Sequence, residues 1–284
     1  MLPIFQLMSD AFKDFERAGW ETVVDEYAGA FGALTMQAIG PLLDAVEAGP
    51  GVRLLDVASG PGYVVAAAAQ RGAIATGVDF SAPMVAEAAR RYSKMNFRRG
   101  DAEALPFADD SFDAVTMNFG LLHLGDPDKA LAEACRVLRP GGRFAFTVWA
   151  KPEETAGFGI TLGAVQTHGN MRVPLPDGPP FFRFSDWAES VRSLAAAGFT
   201  NARLKKISQT WRLSTVDALF EAMQTATVRT AGLLRHQTPE ALRGIRVMMR
   251  NACGLYQRNG TVELPMPAIL AAATKPGAPK EISR

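Results

Sequence analysis

Residues 54–65, LLDVASGPGYVV, run from an apolar stretch through an aspartate and two closely spaced glycines into a second apolar stretch. A buried strand, a glycine turn and a helix in succession predict a ligand loop, and N–H groups at a helix start usually hold phosphate there. The acid argues against that ligand. Asp56 repels a pyrophosphate, Pro61 removes one N–H donor from the loop, and the nearest downstream basic residue is Arg71, a full helix away. A dinucleotide fingerprint also needs a third glycine, and that position holds Val65. The loop fits a ligand with a nucleoside and a positive charge better.

Around this loop, residues 52–149 alternate strand-like runs with helical patterns. VRLLDV reads as a buried strand and GYVVAAAAQRG as a small-residue helix closed by Gly72. AIATGVDF is the next strand, followed by a helix with Ser81 as N-cap and Pro83 in its first turn. MNFRRGDAEAL gives a third strand, SFDAVTMNFG a fourth and RFAFTVWA a fifth. The helix between the last two opens on Asp126 and Pro127, and Pro140, Gly141 and Gly142 are expected to end it. This alternation predicts an α/β fold, a Rossmann-like doubly wound parallel sheet.

The flanking segments are read as additions to that core. Residues 1–50 are helices closing the site, and 51–150 form the ligand-binding core. Residues 151–184, rich in Pro, Gly and Phe, are a lid insertion. Residues 185–213 return to a core helix and strand, with Ser185 capping the helix and Gly198 stopping it. A helical lid insertion at 214–261, a final core strand at 262–275 and a frayed tail at 276–284 complete the chain.

Composition narrows the function. Thirty Lys and Arg against 29 Asp and Glu leave a net charge of +1, so no global field draws in nucleic acid. Two cysteines, Cys135 and Cys253, lack metal-type spacing. No apolar run reaches membrane-spanning length. Asp10, Asp14 and Glu16 follow the short apolar start, which is unlike a signal peptide, and the chain reads as cytoplasmic.

In an open α/β sheet the ligand lies at the carboxyl ends of the strands. Asp79 ends the second strand, where an acid accepts ribose hydroxyls, and Asp101 follows the third. The segments LDVASGPG, GVDFSAPMV, RRGDAEALPFADDSFDAV, NFGLLHLGDPDKALAEACRVLRPGG and FAFTVW resemble, in order and spacing, the motifs of class I S-adenosylmethionine-dependent methyltransferases. The nearest resemblance is to the ubiquinone/menaquinone-biosynthesis-like small-molecule group (methyltransferase type 11/25). It covers residues 50–150 and, more loosely, 185–213 and 262–275.

The resemblance implies a seven-stranded sheet with its last strand antiparallel, a helical lid, and S-adenosyl-L-methionine as cofactor. Asp56, Ala58, Gly60 and Gly62 then form the loop under its methionine part, with Asp56 holding the ammonium. Asp79 takes the ribose, and Phe80 and Met84 pack on the adenosine. Asp101 accepts the adenine amino group beside the Ala102 backbone, and Asn118 presents its carbonyl near the methionine end. Ala58 stands where many members have glycine. Tyr27 either closes over the cofactor or packs within its helix. A ligand with an ammonium and a sulfonium but no phosphate explains the acid at the opening loop.

The acceptor side is read more coarsely. NFGL is not the Asn-Pro-Pro-aromatic signature that holds a planar amide or adenine amine, and the mouth lacks a basic patch interleaved with aromatics. Arg243, Arg246 and Arg250 form a helical stripe, either a solvated face or a grip for an anionic substrate or membrane surface. His123 is the candidate general base, with a purely shaping role as its alternative. Phe158, His168, Phe181 and Phe182 are the candidate substrate pocket, with cap packing as theirs. The expected activity is methyl transfer to a small apolar or aromatic acceptor by a monomer or homodimer. No metal, nucleic acid partner or stable membrane insertion is expected. A non-catalytic binding or regulatory protein and an NAD-type oxidoreductase are the alternatives.

Overall fold

A computed structural model of the protein describes residues 4–277. Helices α1 (Ile4–Trp20), α2 (Val24–Ala30), α3 (Gly32–Thr35) and α4 (Ile39–Ala45) precede the sheet. The core then runs β1 (Arg53–Val57), α5 (Tyr63–Gln70), β2 (Ile74–Asp79), α6 (Ala82–Arg91), β3 (Asn96–Arg99), β4 (Phe112–Asn118), α7 (Pro127–Val137) and β5 (Leu138–Trp149). It continues through α8 (Ala156–His168), α9 (Trp187–Ala196), β6 (Thr200–Ile207) and β7 (Thr210–Leu213). Helices α10 (Ala218–Thr225), α11 (Arg229–Arg235) and α12 (Pro239–Gly254) lead to β8 (Gln257–Arg258), β9 (Thr261–Pro265) and β10 (Ala268–Thr274).

The main sheet has seven strands in the order β3-β2-β1-β4-β5-β10-β6, with β10 antiparallel to both neighbours. Leu54, Leu55, Ala114, Val115, Phe144 and Phe146 are fully buried at its centre. Each large side chain there contributes about 1.5–3 kcal/mol of hydrophobic stabilisation. The strand order reverses between β1 and β4. Right-handed crossovers therefore put α5 and α6 on one face and α7 on the other, leaving a crevice above the carboxyl ends of β1 and β4.

The caps follow the sequence with two exceptions. Ser81 Oγ accepts from Met84 N at 3.3 Å, and Asp126 Oδ1 from Lys129 N at 3.0 Å. Asp186, not Ser185, caps α9, accepting from Glu189 N at 3.0 Å. Helix α7 stops at Val137, ahead of Pro140, because the chain already joins β4 at Leu138.

The expected single strands at 200–213 and 262–275 are each divided. Strands β6 and β10 pair in the main sheet, whereas β7 and β9 pair in a second sheet of order β7-β9-β8. Both breaks fall at the same level, where Met266 N donates to Gln209 O at 2.9 Å and Pro267 has no N–H for a ladder. In the 151–184 segment α8 fills the first half and packs against α12. From residue 278 the expected tail lies outside the described residues. Among the described residues no helix is long and apolar enough to cross a membrane.

Candidate active site

The loop after β1 turns on three left-handed residues, Ala58 (φ 54°), Gly60 (φ 48°) and Gly62 (φ 86°). Alanine resists this region by about 1–2 kcal/mol. The Ala58 methyl packs at Gly120, where an added Cβ would lie 2.5 Å from it. The loop's donors are turned inward. Ser59 N donates to Val78 O and Gly62 N to Ser59 O, both at 3.0 Å, and Gly60 N donates to Asp79 Oδ2 at 2.8 Å. Pro61 has none, so Ser59, Gly60 and Pro61 leave no N–H free to cradle a phosphate.

Asp79 ties two loops together, because its Oδ1 accepts from Ser81 N at 2.9 Å. Burial pushes its carboxyl up to about 6, although hydrogen bonds from Ser81 and Gly60 hold it back. Burial likewise pushes Asp56 up to about 8, with the Thr116 hydroxyl lowering it and the Asp79 charge raising it. Two buried carboxyls without a counter-charge favour a cationic ligand.

Ala58, Gly60, Asp79, Phe80 and Met84 line one end of a cavity, with Asp101 and Ala102 beside them. Asp56 and Gly62 do not line it. Asp56 is turned under the loop, accepting from Thr116 Oγ1 at 2.8 Å, and a Cβ on Gly62 would meet the Phe97 ring at 2.6 Å. At the rim, Lys13 of α1 pairs with Asp101 and, at 3.0 Å, with Glu103. Burial pushes the Lys13 ammonium down, but these two carboxylates outweigh it and the net shift is upward. Glu103 Oε1 accepts from Gly125 N and Asp126 N, both at 3.0 Å, so one carboxylate joins α1 to the loop before α7.

The other end of the cavity is aromatic. Asn118 Oδ1 accepts from Thr147 Oγ1 at 2.6 Å, and its Nδ2 donates to Thr35 O at 3.3 Å, which fixes the end of β4. Phe119 (φ 57°) stacks on Trp149 at 4.1 Å, and Trp149 meets Phe158 at 5.7 Å. Phe158 meets Phe181 at 5.5 Å. Tyr27 stacks on Phe31 at 6.0 Å, and burial pushes its phenol up to about 12, so it stays neutral. The two ends form one cavity.

Two expected pocket residues lie elsewhere. Phe182 packs behind Phe158 and Phe181, at 5.6 and 5.0 Å. His168 ends α8 and packs on Gly244 of α12 in a separate shallow pocket. The Arg243, Arg246 and Arg250 stripe is a solvated face, paired with Glu240, Asp217 and Glu221. Among the described residues no group of three or more His, Cys, Asp or Glu is placed to hold a metal.

His123 does line the cavity. Its Nδ1 lies 3.0 Å from Glu16 Oε2, and its ring meets Trp20 edge-on at 4.8 Å. Glu16 has no solvent exposure and also accepts from Arg229 Nε at 2.9 Å. Lys13, Glu16 and Arg229 were not expected at the site. Lys13, Glu16 and Trp20 at helical spacing carried the only signal on α1, and nothing local connects them to Arg229.

A family model described as a methyltransferase domain matches residues 55–146. The demethylmenaquinone methyltransferase of Renibacterium salmoninarum is 47% identical over 111 residues, covering 39% of this chain and 47% of its own. That of Streptomyces avermitilis is 40% identical over 167 residues, covering 57% of this chain and 70% of its own. The chain thus spans about half the length of the first relative. The phosphoethanolamine N-methyltransferase 2 of Haemonchus contortus, solved with phosphomonomethylethanolamine and S-adenosylhomocysteine, shares the fold at a TM-score of 0.58 and 20% identity. That alignment covers 93% of this chain and 60% of that one.

Proposed function

Because the chain belongs to the class I S-adenosylmethionine-dependent methyltransferases of the quinone-biosynthesis type, we propose that it transfers a methyl group from S-adenosylmethionine to a small apolar or aromatic acceptor. The observation that carries this reading is the single cavity, acidic at the strand ends and aromatic beneath the lid. The donor set fits the cofactor: the strand ends offer the buried carboxyls of Asp56 and Asp79, and the N–H groups of Ser59, Gly60 and Gly62 are engaged within the protein.

Asp79 holds the ribose, Phe80 and Met84 flank the adenosine, and Asp101 with the Ala102 backbone takes the adenine edge. Gly60 and Ala58 let the loop backbone approach the methionine part, Asn118 bounds it, and Asp56 acts on the ammonium from beneath the loop. When bound, S-adenosylmethionine supplies a methyl carbon made electrophilic by its sulfonium. The aromatic end positions the acceptor, with Phe158 and Phe181 on its wall and Tyr27 as a neutral cover. His123 receives the acceptor's proton. The demethylmenaquinone named for both relatives supports a fused aromatic ring as the acceptor. Turnover of labelled cofactor against a panel of phenols, quinols and amines tests the reading. Product with none of them, while S-adenosylhomocysteine binds, would point to a binding role instead.

Two measurements on the cofactor end follow. Asp79→Ala should cost roughly 2–4 kcal/mol of cofactor affinity, from two lost hydrogen bonds to a charged group. That is about 30- to 700-fold in Kd by calorimetry, and a value within twofold of the parent would remove Asp79 from the site. The second measurement is a pH dependence. The empty site keeps a proton on Asp79 up to about 6 and on Asp56 up to about 8. A cation favours the ionised carboxyls, so binding releases protons wherever the empty site still holds them. Affinity should therefore rise with pH towards about 8 and level off above it. Calorimetry in buffers of different ionisation heat should detect the released proton, and Asp56→Asn should flatten the rise between about 6 and 8.

A further inference from the structure

A neutral imidazole carries its proton on one nitrogen and a lone pair on the other, so a histidine base depends on whatever holds its second nitrogen. His123 Nδ1 lies 3.0 Å from Oε2 of Glu16. Glu16 is wholly buried, where a carboxylate needs partners for its oxygens. Its surroundings supply them. Arg229 Nε donates to Glu16 Oε1 at 2.9 Å, and Trp20 Nε1 donates to Oε2 at 3.0 Å. Arg229 is itself fixed, with Nη1 donating to Pro179 O at 2.8 Å and the guanidinium lying 4.2 Å over the Phe12 ring. Burial pushes the Arg229 guanidinium down, and the charge and hydrogen bond of Glu16 offset only part of that.

An ionised carboxylate only accepts hydrogen bonds. Nδ1 must then carry the ring proton, which leaves the lone pair on Nε2. Glu16 does not line the cavity, whereas His123 and Arg229 do. We propose that Glu16 is the positioning residue of the reaction: paired with Arg229, it locks His123 in the Nδ1–H tautomer so that Nε2 takes the acceptor's proton. This rests on the methyltransferase reading above. In that step the acceptor's O–H bond breaks, the proton goes to Nε2, and the electron pair stays on oxygen. Glu16 then faces the imidazolium it has helped to form. The acceptor class that needs such a base is a ring hydroxyl, since a neutral amine already offers its lone pair.

The three side chains come from α1, the loop after β4, and α11, so the base is complete only with α1 seated against both. Nitrogen-15 NMR of the full-length protein with labelled histidine tests this without cofactor or acceptor. The chain has three histidines, and His123→Ala identifies the resonances of interest. The parent protein should show His123 protonated at Nδ1 and bare at Nε2. The double variant Glu16→Leu/Arg229→Met removes both buried charges together and should lose that tautomer, while retained S-adenosylhomocysteine affinity reports an intact fold. Glu16→Gln should lower kcat roughly tenfold or more with the acceptor KM little changed, as for other orienting carboxylates. An Nε2–H tautomer in the parent, or an unaltered Nδ1–H tautomer in the folded double variant, overturns the proposal and leaves the methyltransferase reading standing. Absence of S-adenosylhomocysteine binding by the parent protein would overturn both.

Discussion

Gly60→Val should abolish cofactor binding, weakening it by roughly two orders of magnitude or more, while the protein still folds. Gly60 has φ 48°, a region that costs a non-glycine residue about 1–2 kcal/mol and a β-branched one more. An added Cβ there meets nothing within 4 Å, so the protein itself offers no clash. The valine methyls would instead stand at the cavity wall that Gly60 helps to form. Backbone strain and a blocked cavity both fall on the ligand. Gly60→Ala should lie between, with the strain but less of the obstruction. Gly62→Ala is the contrasting control. Its Cβ would meet Phe97 at 2.6 Å, so it should lower Tm before it lowers affinity. Calorimetry with S-adenosylhomocysteine beside thermal melts separates the two. Near-parental affinity in folded Gly60→Val would refute the assignment of the loop.

What could be read in the chain was local chemistry in regular order. The strands of the 52–149 region, the Ser81 and Asp126 caps and the acids ending successive strands each have a short-range signature, and a doubly wound sheet converts that order into position. The errors fall where a distant partner decides. Nothing within 200–213 marks a change of sheet and only the prolines around Met266 do so within 262–275, because the level of each break is set by the other strand, through Met266 and Gln209. Helix α8 is apolar on every side, so it has no periodic face to read, and its end carries His168 away from the cavity. Asp56 lies in the expected loop, but the hydroxyl of Thr116 on β4 turns it underneath. Glu16 looks like an ordinary surface acid of an amphipathic helix. Only its pairing with Arg229 makes its burial tolerable, and that pairing joins opposite ends of the sequence.

His123→Ala should lower kcat by about 10²–10⁴-fold, the usual span for loss of a general base, and leave cofactor affinity nearly unchanged. The loop that would hold the cofactor is separate from His123, whose ring contacts are Trp20, Glu16 and Phe181. Activity of the parent protein should fall as pH drops and the imidazole takes up a proton, because imidazolium cannot accept another. Glu16 and Arg229 are the charged groups nearest this ring system, and Lys13, Asp79 and Asp101 are others on the cavity wall. Asp56 and Asp79 are expected to make cofactor binding pH-dependent on their own account, so the profile must be taken at saturating cofactor, where their contribution drops out of kcat. Under that condition His123→Ala should lose the acid limb as well as the rate. A histidine that only shaped the aromatic end would act through the acceptor KM and leave the two profiles superimposable. That outcome would leave positioning by the aromatic wall as the whole mechanism, and it would remove the reason for Glu16 to be charged.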